Sequence, residues 1–343
     1  MSCHDPKFAF GGNTPVSPGA VAGRLGARNA PSLMYAALTP SFAFEEITTP
    51  DGEEIFAWEG GLFHDGRAED QFAQVQEPFF NPDEMNLPDA AALAARLRQA
   101  PYAADLRQWV GESAWGDDAQ VNYHAYRALV EFLKEPFFRP FDARIDDYLG
   151  GDESALNDQE KRGLDVFRNA GKCADCHPLV GDSWEKPLLS DFGYDNLGAP
   201  SRGKKDPGLG GHTGDPADLG AFKAPTLRNV ALTAPYLHNG SVATLREVME
   251  FYNKRDLEPE RWGATDFPET VNRDDLGNLE LTDQQIDDLT ALMDAFTDRT
   301  LLDESVRLRG EFPKARRGTP STAAKQLYFP DWTHRLDPVF PGD

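Results

Sequence analysis

The sequence predicts a mostly helical protein built as two units of short helices joined by long irregular loops. Three observations carry this. Residues 89–100 (DAAALAARLRQA) and 119–134 (AQVNYHAYRALVEFLK) space their apolar residues as a helix does. Asn157-x-x-Glu160, Thr244-x-x-Glu247 and Thr282-x-x-Gln285 each read as a capping box that opens a helix. Strand signals are few and short, and the pattern of loop followed by short helices occurs twice.

Taken in order, residues 5–34 are rich in Gly, Pro, Ala and Ser and read as a loop tied down by something other than a core of its own. In 119–134, Val121, Tyr126, Leu129, Val130 and Leu133 form the expected apolar stripe. The stretch YLGGDESALN at 148–157 reads as a linker, and the helix after it should run through Leu164 and Phe167. Residues 178–224 return to Gly, Pro and Asp with little periodicity, and helical stretches are expected at about 226–231, 244–254 and 282–297. The expected units are 1–150 and 151–300, with a polar tail over 301–343. Loops this long suggest a bound group serving as part of the core.

With 343 residues and 40% hydrophobic content the chain can bury the cores of two domains. Its 34 Lys+Arg against 57 Asp+Glu give a net charge of −23, which disfavours binding to phosphate backbones and anionic lipid. No apolar run reaches the roughly 18 residues of a membrane span, and the mean hydropathy is −0.54. The 3 cysteines are too few for a disulfide framework.

Two of those cysteines sit in Cys173-Ala-Asp-Cys176-His177, a complete C-x-x-C-H, the attachment motif for c-type haem. One helical turn separates the thiols, so each can add to a different vinyl group while the adjacent imidazole is aimed at the iron. A zinc half-site would need a second Cys or His pair, and a thioredoxin-type dithiol a βαβ context. Met1-Ser2-Cys3-His4 has the form of the last four residues of a second motif whose first cysteine would lie one position before Met1. The start then reads as a mis-assigned codon or a fragment.

CHDP at 3–6, RNAPSL at 28–33, LFHDGRA at 62–68, Glu77-Pro78 through NPDEM at 81–85, CADCH at 173–177 and APTLRNVALTAPYLHNGS at 224–241 occur in this order. Together they resemble the bacterial di-haem cytochrome c peroxidase/MauG family, from Cys3 to about residue 300. The resemblance implies two cytochrome-c-like domains, each with one c-type haem: a peroxide-reacting one with His4 as proximal ligand, and an electron-relay one bound by Cys173, Cys176 and His177. Glu84 and Gln74 match the family's distal glutamate and glutamine. Heterolysis of peroxide needs a base that carries the proton from the near oxygen to the departing one, and a hydrogen-bond donor nearby.

For the sixth ligand of the relay haem, Leu245, Val248, Met249 and Tyr252 share one helix face. Tyr252 falls where peroxidase members place methionine and MauG places tyrosine, and Met249, one turn away, is the alternative. A phenolate stabilises ferric iron, whereas Met ligation raises the potential. The resemblance also implies a calcium site using Asn29 and the carbonyls of Thr233 and Pro235, hard oxygen donors of the kind calcium takes. His238 matches a family histidine near the second haem and is expected to act by hydrogen bonding; His124, His212 and His334 are expected to be ordinary residues.

Two departures bear on mechanism. No histidine occurs between His4 and His64 to block the first iron, and His64 stands where the family usually has tryptophan between the haems. Trp58 is close in sequence, and Gly171 lacks a tryptophan just before the second motif. The expected activity is reduction of hydrogen peroxide with electrons from a small cytochrome c or cupredoxin, outside the cytoplasm, in the periplasm. The alternatives are a MauG-like enzyme that oxidises side chains of a partner protein, favoured by Tyr252, and a non-enzymatic di-haem electron carrier, which would have no use for Glu84 and Gln74.

Overall fold

The computed structural model describes residues 3–48, 52–180 and 186–302, so the expected tail from 303 onward, and His334 with it, lies outside the described residues. The chain is mostly helical with little sheet. Among the described residues there are two sheets, both of two strands: the hairpin Ala43–Thr48 with Glu54–Glu59, and the short pair Tyr194–Asp195 with Phe222–Lys223. No helix among these residues is long and apolar enough to cross a membrane.

In the first half, helices Ala90–Arg98, Ala103–Val110 and Asp118–Leu133 form a small bundle. It buries Ala94, Leu106, Val110 and Val121 on one side, and Leu93 and Tyr126 with Val75 and Leu87 on the other. The expected stripe is corrected at one position: Leu129 is 38% exposed, and Asn122 is buried in the same helix because its side-chain amide donates to the Ala90 carbonyl. Apolar spacing alone does not reveal a polar side chain that a hydrogen bond admits to the core.

The second half is organised on two helices, Asp158–Arg168 and Asp283–Asp294, both opened by the capping boxes read from the sequence. They cross closely at Gly163, where an added Cβ would stand 2.8 Å from the Asp288 carbonyl carbon. Arg162 grips Asp288 through two 2.9 Å bonds beside that crossing. Leu164, Phe167, Ile286, Leu289, Leu292, Met293 and Phe296 fill the core around it. The expected helix at 226–231 is a single 3-10 turn, Val230–Leu232, since Asn229 enters it in the left-handed region.

The opening loop has more apolar anchoring than expected. Ala9, Phe10, Met34 and Tyr35 are buried with Phe138 and with Leu301 from the far end of the described chain. Beneath this cluster lies a buried polar clasp. Arg228, 1% exposed, donates to both oxygens of Asp146 at 3.0 and 2.7 Å and to the Pro187 carbonyl. Asp298 accepts from the Tyr35 hydroxyl at 2.9 Å and from the Asn229 amide at 2.7 Å.

Candidate haem ligands and active site

The C-x-x-C-H motif forms one helical turn, Cys173–Cys176, entered through Lys172 in the left-handed region at φ 52° and closed by the His177 amide on the Cys173 carbonyl at 2.9 Å. His177 Nδ1 lies 2.9 Å from the Leu189 carbonyl oxygen. A carbonyl only accepts, so Nδ1 carries the proton and Nε2 presents its lone pair, the state of a metal-ligating histidine. Burial pushes the His177 pKa down to about 4, which keeps the ring neutral. His4 repeats the arrangement: its Nδ1 lies 2.9 Å from the Phe10 carbonyl oxygen, and burial lowers its pKa. Cys3 beside it is half-buried.

Burial pushes the thiols of Cys173 and Cys176 up to about 12. A redox dithiol or a zinc site instead depends on thiolates held by a lowered pKa. No group of three or more His, Cys, Asp or Glu among the described residues is placed to hold a metal ion by itself. Half-buried thiols held neutral beside an imidazole whose Nδ1 is taken by a carbonyl fit covalent haem attachment.

Helix Leu245–Lys254 starts at Thr244, whose hydroxyl accepts from the Glu247 amide. It places the Tyr252 phenol within electrostatic reach of Cys173, Cys176 and Asp195; burial raises its pKa first, and these groups raise it further. No described residue hydrogen-bonds its hydroxyl. Met249 is 7% exposed and packs in the core with Leu164, Phe167 and Leu289.

Gln74 closes the helix Gln71–Gln74, whose start is capped by Asp70. After the helix Glu77–Phe80, Asn81 turns the chain: its side-chain oxygen accepts from the Asp83 amide at 3.0 Å, and its Nδ2 donates to Glu84 Oε1 at 2.8 Å. The loop that follows Cys3-His4 clamps this turn. Ala20 N donates to the Glu84 carbonyl at 2.6 Å, and Arg24 donates to the Pro82 carbonyl and to Asn86. Half-buried Glu84 has a raised pKa because of burial, partly offset by Arg67 and by the Asn81 bond. A carboxyl so held, with its pKa raised by burial, is of the kind that can take and return a proton.

Between the halves, His64 Nε2 lies 3.0 Å from the Asn29 carbonyl oxygen, and Asn29 N donates to the His238 carbonyl at 2.8 Å. Asn29 Nδ2 donates to the Thr14 carbonyl, which leaves its side-chain oxygen for another partner. The His238 ring stacks on Phe222 at 3.6 Å, and burial brings His64 to about 4 and His238 to about 3. Thr233 donates its hydroxyl to the Val230 carbonyl, and Pro235 follows a cis peptide bond.

Sequence reading missed the ions that fasten this region. Arg28 binds both oxygens of Asp206 at 2.7 Å and pairs with Asp65 at 2.7 Å, while Lys223, lowered to about 8 by burial, donates to the Gly61 carbonyl. Their only sequence signal was charge inside Gly-rich loops. His212 and His124 make ring contacts with Phe42 and Trp109.

A Cys-x-x-Cys-His turn with its histidine tautomer fixed, and a second Cys-His turn near the N-terminus with its histidine Nδ1 likewise set on a backbone carbonyl, are the arrangement of c-type haem proteins with two haem stations. Residues 1–154 match the family described as di-haem cytochrome c peroxidase, and residues 221–262 one described as RoxA-like, cytochrome c-like. The chain is 34% identical over 339 residues to the methylamine utilization protein MauG of Paracoccus denitrificans, covering 89% of this chain and 85% of that protein. It is 30% identical to a cytochrome-c peroxidase of Denitromonas iodatirespirans, over 74% of this chain and 67% of the relative. The crystal structure of the diheme peroxidase BthA from Burkholderia thailandensis superposes with a TM-score of 0.78 at 31% identity, covering 88% of this chain and 81% of that one. The chain belongs to the di-haem cytochrome c peroxidase/MauG family.

Proposed function

We propose that this oxidoreductase is a di-haem c-type peroxidase that reduces hydrogen peroxide at an N-terminal haem, with electrons relayed through a C-terminal haem from a small cytochrome c or cupredoxin. The observation that carries the reading is the repeated histidine geometry: His4 and His177 each set Nδ1 2.9 Å from a backbone carbonyl oxygen. In this reading Cys3 and His4 serve the first haem, and Cys173, Cys176, His177 and Tyr252 the second. The two stations correspond to units 1–150 and 151–300. Bound haem would supply the redox-active iron, and two electrons from the donor protein complete H2O2 + 2H+ + 2e− → 2H2O.

The protein's own part is proton handling and orientation. Glu84 takes the proton from the near peroxide oxygen and returns it to the departing one, and Gln74 donates a hydrogen bond from the adjoining segment. Asn81 and the clamping loop hold the carboxyl in place. His238 supports the second station through its stack on Phe222. Asn29, through its remaining side-chain oxygen, and the carbonyls of Thr233 and Pro235 would take calcium between the halves. Thioether attachment implies export, hence a periplasmic protein.

The second reading, a MauG-like enzyme that oxidises a protein partner, is favoured by the Tyr252 phenol, which no described residue hydrogen-bonds and which lies within electrostatic reach of Cys173 and Cys176. The decisive experiment on the catalytic step is Glu84→Gln. Its reaction with peroxide should slow by about 10²–10⁴-fold with haem content intact. In the parent, the rate should fall as pH drops, through a point above the ordinary carboxylate range, because Glu84 must be ionised to accept the proton. Unaltered stopped-flow kinetics in the variant would return Glu84 to the role of a loop acid.

A further inference from the structure

The hairpin Ala43–Thr48/Glu54–Glu59 leaves large aromatic surface in water. Phe44 is 53% exposed and Phe56 62% exposed, and pairing of Phe44 with Trp58 and of Glu46 with Phe56 sets these four on one face with Glu54. Adjacent exposed aromatics of this size mark interaction surfaces more often than ordinary solvent-facing ones. The charge has one sign: Glu46 and Glu54 share the aromatic face, Glu45 and Glu59 lie on the opposite face of the same strands, and the described residues 41–48 and 52–59 hold no lysine or arginine.

The face also connects inward. Phe44 touches Phe56 at 5.8 Å and Trp58 at 4.8 Å between centroids, Trp58 stacks on Phe42 at 4.6 Å with planes 3° apart, and Phe42 meets Tyr194 edge-on at 6.1 Å. Tyr194 is anchored by donating to the Gly60 carbonyl at 2.6 Å. Its neighbour Asp195 lies within electrostatic reach of both Cys176 and Tyr252. A continuous run of ring contacts thus leads from the acidic aromatic face to the strand beside the second candidate haem station.

We propose that the acidic aromatic face of this hairpin is where the electron-donor protein docks, and that this donor is a small basic single-haem cytochrome c, lysine-rimmed around an apolar haem edge. The inference rests on the peroxidase reading and adds the entry point and the partner's surface chemistry. Phe44 and Phe56 meet the apolar edge, and Glu46 and Glu54 meet the lysines. Each docking delivers one electron, so two reduced donors are oxidised per peroxide reduced to two waters. A second copy of this chain is disfavoured because the two faces would carry the same charge, and an anionic membrane is disfavoured for the same reason.

The test uses the full-length protein with both haems and, as probe, a reduced, strongly basic single-haem cytochrome c. KM for the probe should rise with ionic strength. It should rise at least about tenfold in Glu46→Lys/Glu54→Lys and in Phe56→Ser, with haem content and melting temperature as in the parent, while Glu260→Lys leaves it unchanged. Hydrogen exchange should show protection of residues 43–59 appearing only when the probe is added. An unchanged KM in both hairpin variants overturns the proposal. So does protection already present in the protein alone, which would mean that the chain's own segment beyond 302 covers the face. Peroxide turnover with a small-molecule reductant but none with the basic cytochrome also refutes the docking proposal and spares the peroxidase reading. Failure with both reductants removes the peroxidase reading itself.

Discussion

Gly19 is the point at which the loop after Cys3-His4 presses on the Glu84 turn, and Gly19→Ala tests whether that clamp sets the reactivity of the carboxyl. An added Cβ would strike the Asp83 carbonyl oxygen, stand 2.9 Å from its carbon, and lie 3.2 Å from the Glu84 carbonyl oxygen. All three obstructing atoms are backbone and cannot rotate away, so the two segments must part by about half an ångström, which strains the 2.6 Å bond from Ala20 N to the Glu84 carbonyl. A misplacement of about 1 Å costs roughly 10²-fold in rate, so half of that should cost on the order of tenfold. The accompanying loss of stability should be about 1–3 kcal/mol. Stopped-flow mixing with peroxide gives the rate, and haem content with thermal melting shows that the fold survives. Gly116→Ala, where an added Cβ meets nothing within 4 Å, is the control and should alter neither. Because Gly19 acts through Glu84, Gly19→Ala should add little to Glu84→Gln in the double variant. A folded Gly19→Ala protein with parental peroxide kinetics, or fully additive losses in the double variant, would refute the reasoning.

The remaining predictions concern the second half. Replacing Cys173 and Cys176 with Ala should remove one covalent haem, and mass spectrometry finding no haem on the parental 173–177 peptide would refute attachment there. Tyr252→Met should raise the reduction potential of the second haem in a spectroelectrochemical titration, since a thioether favours Fe(II) more than a phenolate does. Met249→Leu, a volume-conserving change in the core, should cost less than about 1.5 kcal/mol and leave the haem spectrum as it was; a lost thioether signature would instead make Met249 the ligand. Arg228→Met should lower unfolding stability in urea by about 3–5 kcal/mol by stranding Asp146 in the interior, and a loss below about 1 kcal/mol would show that water reaches the clasp.

What the sequence made legible follows from how local each signal is. Capping boxes at Asn157, Thr244 and Thr282 involve residues three apart, and all three open helices in the structure. The Cys-x-x-Cys-His turn is equally local. The hairpin at 43–59 escaped notice although Pro50-Asp51-Gly52 is a turn signal, because acidic pairs break the apolar alternation and its aromatic face turns to solvent. The 226–231 stretch looked helical by spacing, yet Asn229 is held in a left-handed conformation by two bonds with Asp298. That constraint comes from a residue 69 positions away. The Nδ1–carbonyl pairing of His4 and His177 was invisible for a similar reason, since its acceptors lie 6 and 12 residues on, in loops without periodicity. Arg28, Asp65 and Asp206 meet only after folding.

The packing of Leu301 among Ala9, Phe10, Met34 and Tyr35, together with the Tyr35–Asp298 bonds, means that the chain returns to its beginning before the described residues end. Neither half owns all of its interior. A chain severed near residue 150 would leave the first piece without Leu301 and the second with Asp298 deprived of Tyr35, so no free energy of folding can be assigned to either piece alone. Recombination that exchanged one half for a homologue's would have to carry this shared seam with it, which ties the inheritance of the two haem stations together.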